Sequence, residues 1–317
     1  MLEKFHDAEK YEFKDAFIER YKSLTDWEIF KEYSLSFLRR SIRVNTLKMP
    51  IKELCERMED KERNEQWKLT KIPWCPEGFW ISGERRDLGN TVEHVLGYIY
   101  VQESASMIPP VVLAPKPGDV VLDLCAAPGS KTTQMAAMMQ NEGILVANDA
   151  DITRIKALGL NLQRCGCANT IIAHNPRLHF QKEVFTKILV DAPCSAVGTI
   201  RKSPKVIRMW SPDGVRRLCA QQRALAAKSF EMLKPGGTMV YSTCTMEPEE
   251  NEGIVDFLLT TFPNAKVEKI DLDIKRSEPV THFEKQEYSS EVKKTLRLWP
   301  QDNDTEGFFV AKLKKSE

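Results

Sequence analysis

Residues 120–133 read VVLDLCAAPGSKTT, a short apolar run that passes into a turn of small residues and then into a helical pattern. Four more short, apolar and β-branched runs follow, at residues 144–147, 170–173, 188–191 and 238–241. Helical patterns lie between them, at about 130–140, 151–164 and 212–233. Buried strands that alternate with helices are typical of a doubly wound, mostly parallel sheet. The sequence therefore predicts an α/β fold.

The chain before this sheet has a different pattern. Up to about residue 40, apolar residues such as Phe17 and Tyr21 recur at helical spacing and predict two or three amphipathic helices. Residues 41–113 mix short β-like runs with a charged helix and predict a small α+β region. We place the domain boundary in the Pro-rich stretch that follows, which divides the chain into residues 1–112 and 113–317.

Composition excludes several classes of protein. Hydrophobic residues make up 42% of the 317 residues, enough to bury a core. The 46 basic and 45 acidic residues give a net charge of +1, which argues against a histone-like polycation but allows a local basic face. No apolar run approaches the length of a membrane span, and the first residues lack the core of a signal peptide. We therefore expect a cytoplasmic protein that does not act at a membrane.

The cysteines favour neither a disulfide framework nor a metal site. There are eight of them in a chain without a signal peptide, and no C-x-x-C pair occurs. Cys165 and Cys167 have no second pair of ligands, so we expect no metal. Most of these thiols are expected to be buried as small hydrophobic side chains.

The turn after the first strand predicts a nucleoside cofactor. Small residues at a strand-to-helix turn let the backbone approach a ligand closely, but residues 125–133 match neither a P-loop nor a dinucleotide fingerprint. The second strand ends in Asn148-Asp149, and an acidic residue there typically binds a ribose hydroxyl. A nucleoside cofactor without a pyrophosphate fits both features, and S-adenosylmethionine is such a cofactor. The alternative is a plain turn with a solvated Asp149.

Two cysteines follow strands of the predicted sheet. One strand ends in Asp191-Ala192-Pro193-Cys194, and another ends in Ser242-Thr243-Cys244. The carboxyl ends of parallel strands form one ligand-binding edge, so the two thiols could meet in one cleft. A thiolate near a methyl donor suggests covalent activation of a weakly nucleophilic carbon, such as carbon 5 of cytosine. The Asp191 carboxyl group would then stabilise the adduct at ring nitrogen 3. The alternative for each cysteine is a buried structural thiol.

At this point the sequence resembles the NSUN (Sun-type) family of RNA 5-methylcytosine methyltransferases. Six segments match and span about residues 41–312: SIRVNT at 41–46, YVQESAS at 100–106, DLCAAPGSK at 123–131, DAPCS at 191–195, YSTCT at 241–245 and GFFVA at 307–311. The resemblance implies a Rossmann-like methyltransferase core, S-adenosyl-L-methionine as the donor, and RNA binding by the smaller N-terminal α+β region. It also implies that the chain is an enzyme.

The resemblance also implies residue roles. Cys244 would be the nucleophile, and Cys194 would assist release of methylated RNA from the covalent adduct. Apart from the resemblance, the cationic Lys131 and nearby helix N-termini could help Cys244 to ionise. The implied donor-binding residues are Cys125, Ala126, Ala127, Pro128, Gly129, Ser130, Lys131, Asp149, Arg154 and Asp191. Where the family usually has Asp after the third strand, this chain has Asn175, whose carbonyl oxygen could still accept from the adenine amino group.

The RNA substrate is only partly specified. The chain is similar to compact archaeal transfer-RNA methyltransferases, which makes transfer RNA the first choice and ribosomal RNA the second. Two further readings stay open: a methyltransferase acting on an exocyclic amino group or a protein amide, and a catalytically silent RNA-binding factor. The sequence does not reveal whether a helper protein takes part.

Basic clusters are the candidate RNA contacts. They comprise Arg39, Arg40 and Arg43; Arg85 and Arg86; and Arg201, Lys202, Lys205 and Arg208. The last cluster follows Cys194 directly and is the best candidate for phosphate contacts. The tryptophans Trp74, Trp80 and Trp210 could stack on an unpaired base, although core packing is the commoner role.

Overall fold

The structure is a computed structural model that describes residues 2–60, 67–83 and 87–317. Arg85 and Arg86, which the sequence analysis singled out, lie outside the described residues. The chain forms two compact units. The first unit comprises Met1–Arg39, Ala192–Ala227 and Tyr241–Lys314, and the second comprises Arg40–Asp191, Lys228–Val240 and Lys315–Glu317. The units interleave along the chain, whereas the sequence analysis divides it once; the division at residue 112 stays a prediction.

The described residues form helices and strands with the following bounds. The α-helices are α1 (Asp15–Lys22), α2 (Trp27–Ser34), α3 (Ile51–Glu59), α4 (Val92–Val95), α5 (Ile108–Leu113), α6 (Ser130–Met138), α7 (Ile152–Cys165), α8 (Lys205–Met209), α9 (Pro212–Met232), α10 (Glu252–Thr261) and α11 (Pro300–Asn303). The strands are β1 (Ser41–Val44), β2 (Lys68–Ile72), β3 (Cys75–Ser82), β4 (Ile99–Val101), β5 (Val120–Asp123), β6 (Ile144–Asn148), β7 (Thr170–Ala173), β8 (Phe185–Asp191), β9 (Leu233–Thr243), β10 (Ala265–Glu268), β11 (His282–Phe283), β12 (Gln286–Glu287), β13 (Leu296–Leu298) and β14 (Phe308–Lys315).

A parallel sheet dominates the second unit, where the strands have the order β9-β8-β5-β6-β7. β5 pairs in parallel with both β6 and β8, and β6 pairs in parallel with β7. The register sets Asp123 opposite Ala147 and Asn148 opposite Ala173, so consecutive strands end at similar levels. Helices α6 and α7 connect β5 to β6 and β6 to β7, which is the connection a parallel pair requires. The predicted doubly wound, mostly parallel α/β core is confirmed.

The turn before α6 explains why the sequence needs glycine there. Gly129 has φ +106°, a left-handed conformation that a side chain rarely adopts. A Cβ at this position would come within 3.0 Å of the Leu158 side chain on α7. Ala126, Ala127, Ala147 and Leu158 form a small core beneath the turn. The turn therefore lies directly against the helix that follows the second strand.

A second sheet in the same unit is antiparallel, with the order β2-β3-β1-β4. Its core contains Ile42, Val44 and Phe79, together with Leu54 of α3. This sheet is the smaller α+β region that the sequence predicts.

The first unit includes the N-terminal helices. Phe17 and Tyr21 of α1 are buried with Phe30 of α2, Trp210 and Trp299, so the apolar spacing correctly predicts which residues face the core. In this unit β10 lies next to β14, and β13 pairs antiparallel with β14. Among the described residues, no helix is both long and apolar enough to cross a membrane.

Strand β9 differs most from its predicted bounds. The segment Lys234-Pro-Gly-Gly ends helix α9 at Met232, as the sequence predicts, but the following strand starts at Leu233 rather than at residue 238. Leu233 is fully buried, so the backbone is already extended and packed where the helix ends. Sequence rules read Pro and Gly as breaks and therefore shorten this strand.

Candidate active site

The turn after β5 is tied to the end of β6 by backbone and side-chain hydrogen bonds. The Ala126 amide donates to the Asn148 carbonyl over 2.7 Å, and the Ala127 amide donates to Oδ2 of Asp149 over 3.1 Å. At the start of α6, the Thr132 hydroxyl donates to Oδ2 of Asp123 over 2.7 Å. The turn predicted to hold the cofactor is therefore held in one conformation by its neighbours in the sheet.

Asp149 follows directly after β6, which ends at Asn148, and the residue is buried, at 3% exposed. Its second carboxylate oxygen, Oδ1, accepts from the Asp151 amide over 2.9 Å. Nη1 of Arg154 lies 3.5 Å from Oδ2, and Nη2 of Arg154 donates to the Ala127 carbonyl. Asp149 and Arg154 thus lie together beside the turn, where a carboxylate can accept hydrogen bonds from sugar hydroxyls.

Asn148 is a residue that the sequence analysis missed. Its amide nitrogen donates to the Leu124 carbonyl over 3.0 Å, and its oxygen accepts from the Asn175 amide over 2.9 Å. It therefore links the ends of three strands. The carbonyl oxygen of Asn175 accepts from the His179 amide over 3.2 Å, and an amide oxygen has a second lone pair for a further donor. The only sequence signal for Asn148 was a polar residue directly before Asp149.

Lys131 and Asp191 form an ion pair. Nζ of Lys131 lies 2.7 Å from Oδ2 of Asp191 at the end of β8, and it also donates to the Ser106 hydroxyl over 3.1 Å. The Lys131 side chain is mostly buried. The ammonium that the sequence analysis assigned to Cys244 activation is therefore paired with the Asp191 carboxylate, which it holds in place.

The prediction that Arg43 belongs to an exposed basic cluster is wrong. The sequence analysis placed it in a basic cluster, but it is 1% exposed because β1 is an inner strand of the antiparallel sheet. Its guanidinium donates to Oε1 of Gln102 over 2.9 Å and to the Thr133 hydroxyl over 2.8 Å. Gln102 in turn donates to the Ser106 carbonyl over 3.1 Å. Arg43 thus supports the segment that contacts Lys131 and is not part of an RNA-binding face.

In the first unit, the two predicted cysteines come together. Sγ of Cys194 lies 3.3 Å from Sγ of Cys244. The chain segments that carry them run side by side, because the Ala192 amide donates to the Ser242 carbonyl over 2.9 Å. Both thiols are half-buried. The hydrogen bond with Cys244 and the loss of water contact raise the pKa of Cys194 well above its usual value.

The loops after the two cysteines are joined further along. The Ser195 and Thr245 hydroxyls are 2.6 Å apart, and the Gly198 amide donates to the Cys244 carbonyl over 3.0 Å. A Cβ on Gly198 would come within 2.1 Å of the Gly307 carbonyl, so only glycine fits at this crossing. The segment GFFVA, which carried part of the family resemblance, therefore packs directly against the cysteine loops.

Only part of the basic cluster after Cys194 lies on the surface. Arg201 is 4% exposed; it donates to the Phe37 carbonyl over 2.7 Å and pairs with Asp304 over 2.7 Å. It is therefore a structural residue, and its predicted role in RNA binding is wrong because the guanidinium faces the protein. Lys202, Lys205 and Arg208 are exposed.

The tryptophans are mainly core residues. Trp74 and Trp210 are buried, and their indole nitrogens donate to the Ser104 carbonyl over 2.9 Å and to Oε1 of Glu247 over 2.6 Å. Trp80 is partly buried. The prediction that Trp74 or Trp210 stacks on a base is therefore wrong, and both side chains pack in the core.

The residues around the turn suit S-adenosylmethionine. The glycine turn is closely packed, so a ligand can approach its backbone. The buried Asp149 carboxylate can accept from ribose hydroxyls, and the Asp191 carboxylate offers a negative charge to a cationic methionine group. One oxygen of Asp123, Oδ1, is buried without a hydrogen-bond partner among the described residues. In the described part of the chain, no cluster of three or more His, Cys, Asp or Glu side chains could hold a metal ion.

Comparison with known protein families gives two matches. Residues 110–314 match the family described as 16S rRNA methyltransferase RsmB/F, and residues 13–104 match the N-terminal domain of 16S rRNA methyltransferase RsmF. Together these matches include both cysteines and the cofactor turn.

Two relatives show how far the likeness extends. The tRNA (cytosine(49)-C(5))-methyltransferase of Pyrococcus abyssi is 47% identical over 312 residues, which cover 96% of this chain and 98% of that protein. Ribosomal RNA small subunit methyltransferase F of Aliivibrio salmonicida is 45% identical over 288 residues. That match covers 88% of this chain but only 58% of the relative.

Solved structures agree with these matches. A methyltransferase homologue from Pyrococcus horikoshii has a TM-score of 0.85 at 37% identity, with 96% of each chain covered. NSun6 from Pyrococcus horikoshii, solved with the S-adenosylmethionine analogue SFG, has a TM-score of 0.83 at 25% identity and covers 97% of this chain and 99% of its own. The fold, the paired cysteines and the matches along almost the whole chain lead to one conclusion: this protein belongs to the RsmB/F (Sun-type) methyltransferase family.

Proposed function

We propose that this protein methylates carbon 5 of a cytosine in transfer RNA through a covalent adduct with Cys244. Its family makes it an S-adenosylmethionine-dependent RNA cytosine-5 methyltransferase. The observation that supports the covalent route best is the 3.3 Å separation of the Cys194 and Cys244 sulfurs. An enzyme that methylates an exocyclic amino group needs no such pair of thiols, and a silent RNA-binding factor has no use for one.

Transfer RNA is the favoured substrate because the chain covers nearly all of a relative named for transfer RNA and much less of one named for ribosomal RNA. The chain spans 98% of the Pyrococcus abyssi enzyme, whose name specifies cytosine 49 of transfer RNA. It spans only 58% of the Aliivibrio salmonicida enzyme, which is named for ribosomal RNA. Ribosomal RNA is the second candidate, supported by the family descriptions.

In this proposal Cys244 begins the reaction. Its thiolate adds to carbon 6 of the cytosine, so that carbon 5 gains the electron density of an enamine. S-adenosylmethionine, when bound, supplies the electrophilic methyl group that carbon 5 takes. Since a free thiol is only a few per cent ionised at neutral pH, Cys244 needs help to ionise, and helix N-termini can provide part of it.

Asp191 acts at ring nitrogen 3. Negative charge develops at this nitrogen as the thiolate adds to carbon 6, and the Asp191 carboxyl group, in its acid form, stabilises the adduct by donating its proton or a hydrogen bond to the nitrogen. The Lys131 ammonium, 2.7 Å away, keeps the carboxyl group oriented. Asp149 and Arg154 bind the donor, with the turn at residues 125–131; Asn175 offers a carbonyl oxygen to its adenine.

Cys194 acts at the end of the reaction. The adduct breaks down when the proton on carbon 5 is removed and the bond between carbon 6 and the Cys244 sulfur breaks, which returns a thiolate to Cys244. The Cys194 sulfur, 3.3 Å from the Cys244 sulfur, is close enough to take part in this elimination.

RNA binding is assigned to exposed basic residues and to the N-terminal region. Lys202, Lys205 and Arg208 contact the phosphate backbone in this proposal, and residues 1–112 contribute the RNA-binding α+β region. The target cytosine must leave its stack to reach a thiol, so the substrate segment is flexible or easily unpaired. In this proposal the protein acts in the cytoplasm.

Bisulfite sequencing of cellular RNA with and without the gene tests the choice of substrate. We expect one cytosine of transfer RNA to lose its methyl group when the gene is removed. Restoring the gene should restore the mark, whereas restoring a Cys244→Ala variant should not. Loss of a mark in ribosomal RNA alone would favour the second candidate, and no change in either RNA would contradict the proposal.

A further inference from the structure

A buried carboxylate holds the main chain on both sides of Cys194. Oε2 of Glu250 accepts from the Ser195 amide over 3.0 Å and from Nε2 of Gln222 over 2.7 Å. The same nitrogen of Gln222 donates to the Pro193 carbonyl over 2.8 Å. The residues before and after Cys194 are therefore both tied, directly or through Gln222, to one oxygen of Glu250.

The next residue does the same for the other cysteine. The Thr243 hydroxyl lies 2.5 Å from Oδ1 of Asn251, and Nδ2 of Asn251 donates to the Thr245 carbonyl over 2.9 Å. Thr243 and Thr245 are the neighbours of Cys244 in the chain. Two adjacent side chains thus bracket two different thiols.

Burying the Glu250 carboxyl group costs free energy. It is fully buried, its backbone carbonyl accepts from the Tyr241 hydroxyl over 2.7 Å, and its Oε1 has no hydrogen-bond partner among the described residues. Burial raises the pKa of Glu250 to about 7, which shows that the site disfavours its charge. The Ser195 amide and the Gln222 side chain need an acceptor here, and the Glu250 carboxylate supplies it next to the cysteine loop.

We propose that Glu250 is the positioning residue for the release step and Asn251 the positioning residue for the attack step. Glu250 keeps Cys194 beside the adduct by fixing Pro193 and Ser195, and Asn251 keeps Cys244 aimed at carbon 6 by fixing Thr243 and Thr245. This inference rests on the roles proposed above for the two cysteines. It assigns Asn251 to the formation of the covalent intermediate and Glu250 to its breakdown.

The test compares covalent and methylated RNA in substituted enzymes. The probe is a radiolabelled, unmodified transcript of the transfer RNA found by bisulfite sequencing, incubated with S-adenosylmethionine and separated on a denaturing gel. Glu250→Gln should accumulate a covalent protein–RNA species and lose at least about tenfold in steady-state turnover, because a neutral amide oxygen accepts the bonds from Ser195 and Gln222 less strongly than a carboxylate oxygen does. Its first, single-turnover methyl transfer should stay within about threefold of the unchanged enzyme.

Asn251→Ala should behave in the opposite way. Both the covalent species and the first methyl transfer should fall by at least about tenfold, because Cys244 is no longer held. Glu249→Gln is the matched control: its carboxylate accepts from Arg20, and among the described residues no hydrogen bond joins it to either cysteine loop. It should form adduct and product like the unchanged enzyme.

Two further variants make the result decisive. Gln222→Leu removes the bond to Pro193 and should also trap RNA, which guards against a folding defect specific to Glu250→Gln. If Cys194→Ala traps RNA but Glu250→Gln and Gln222→Leu both turn over normally, or both lose adduct and product together, the inference is overturned while the proposed function stands. If Cys194→Ala itself traps nothing, the proposed cysteine roles fail first.

Discussion

Asp149 is the residue whose carboxylate directly contacts the turn that we propose binds the donor. It accepts from the Ala127 amide over 3.1 Å and lies 3.5 Å from Arg154. We predict that Asp149→Ala weakens S-adenosylmethionine binding by one to two orders of magnitude, because each charge-assisted bond contributes about 1.5–3 kcal/mol. Isothermal titration calorimetry measures this. The fold should remain, because a strand-end carboxylate adds little to packing.

A neighbouring residue provides the control for this prediction. Asp151 caps α7 through its bonds to Thr153, but the described contacts do not connect its side chain to the turn. Asp151→Ala should therefore leave donor affinity unchanged. Unchanged affinity in Asp149→Ala as well would remove Asp149 from the donor site.

Single residues also show what the sequence could and could not reveal. Cys194, Cys244 and Asp191 were predicted because each follows a recognisable strand, and strand ends form one edge of a parallel sheet. Glu250 and Asn251 were not, because their partners are set by loop conformations that no local pattern encodes. Asn148 was missed for the same reason: a polar residue inside a strand reads as ordinary until its partners are known.

Helix α8 is the element that should contact RNA. Lys205 and Arg208 lie on it and are exposed. We predict that Lys205→Ala combined with Arg208→Ala weakens RNA binding and lowers the slope of log affinity against log salt by about 1–2, because two phosphate contacts no longer release counterions. Filter binding at several salt concentrations measures the slope, and donor affinity should not change.

The control removes the same charge from another surface of the first unit. Lys266 and Lys269 are exposed on and just after β10. Replacing both with Ala should leave the slope nearly as it was. An equal fall in both double variants would mean that net charge, rather than α8, sets the salt dependence.

At the level of elements, the strand and helix pattern was predictable, but the placement of charges was not. Apolar runs with helical spacing between them identify β5 to β9 and the helices α6, α7 and α9. Arg43 and Arg201 were misread because a basic residue looks the same in sequence on a surface and inside the protein. Arg43 is buried because β1 is an inner strand, and Arg201 is buried because main-chain carbonyls surround its guanidinium. Both causes depend on the tertiary fold.

The whole molecule interleaves two compact units along one chain. The segments that follow strands β8 and β9 belong to the first unit, and these segments carry Cys194 and Cys244. A sequence read from end to end suggests one boundary, since composition changes only once before the parallel sheet. The observed division depends on contacts between distant parts of the chain, which composition cannot reveal.

The most direct test of covalent catalysis is a denaturing gel of Cys244→Ala and Cys194→Ala with labelled RNA and S-adenosylmethionine. Cys244→Ala lacks the attacking thiolate and should form neither methylated product nor a covalent species. Cys194→Ala can still attack and methylate, so it should accumulate covalent protein–RNA because release is slow. The reverse pattern would exchange the roles of the two cysteines, and normal methylation by both variants would contradict covalent catalysis itself.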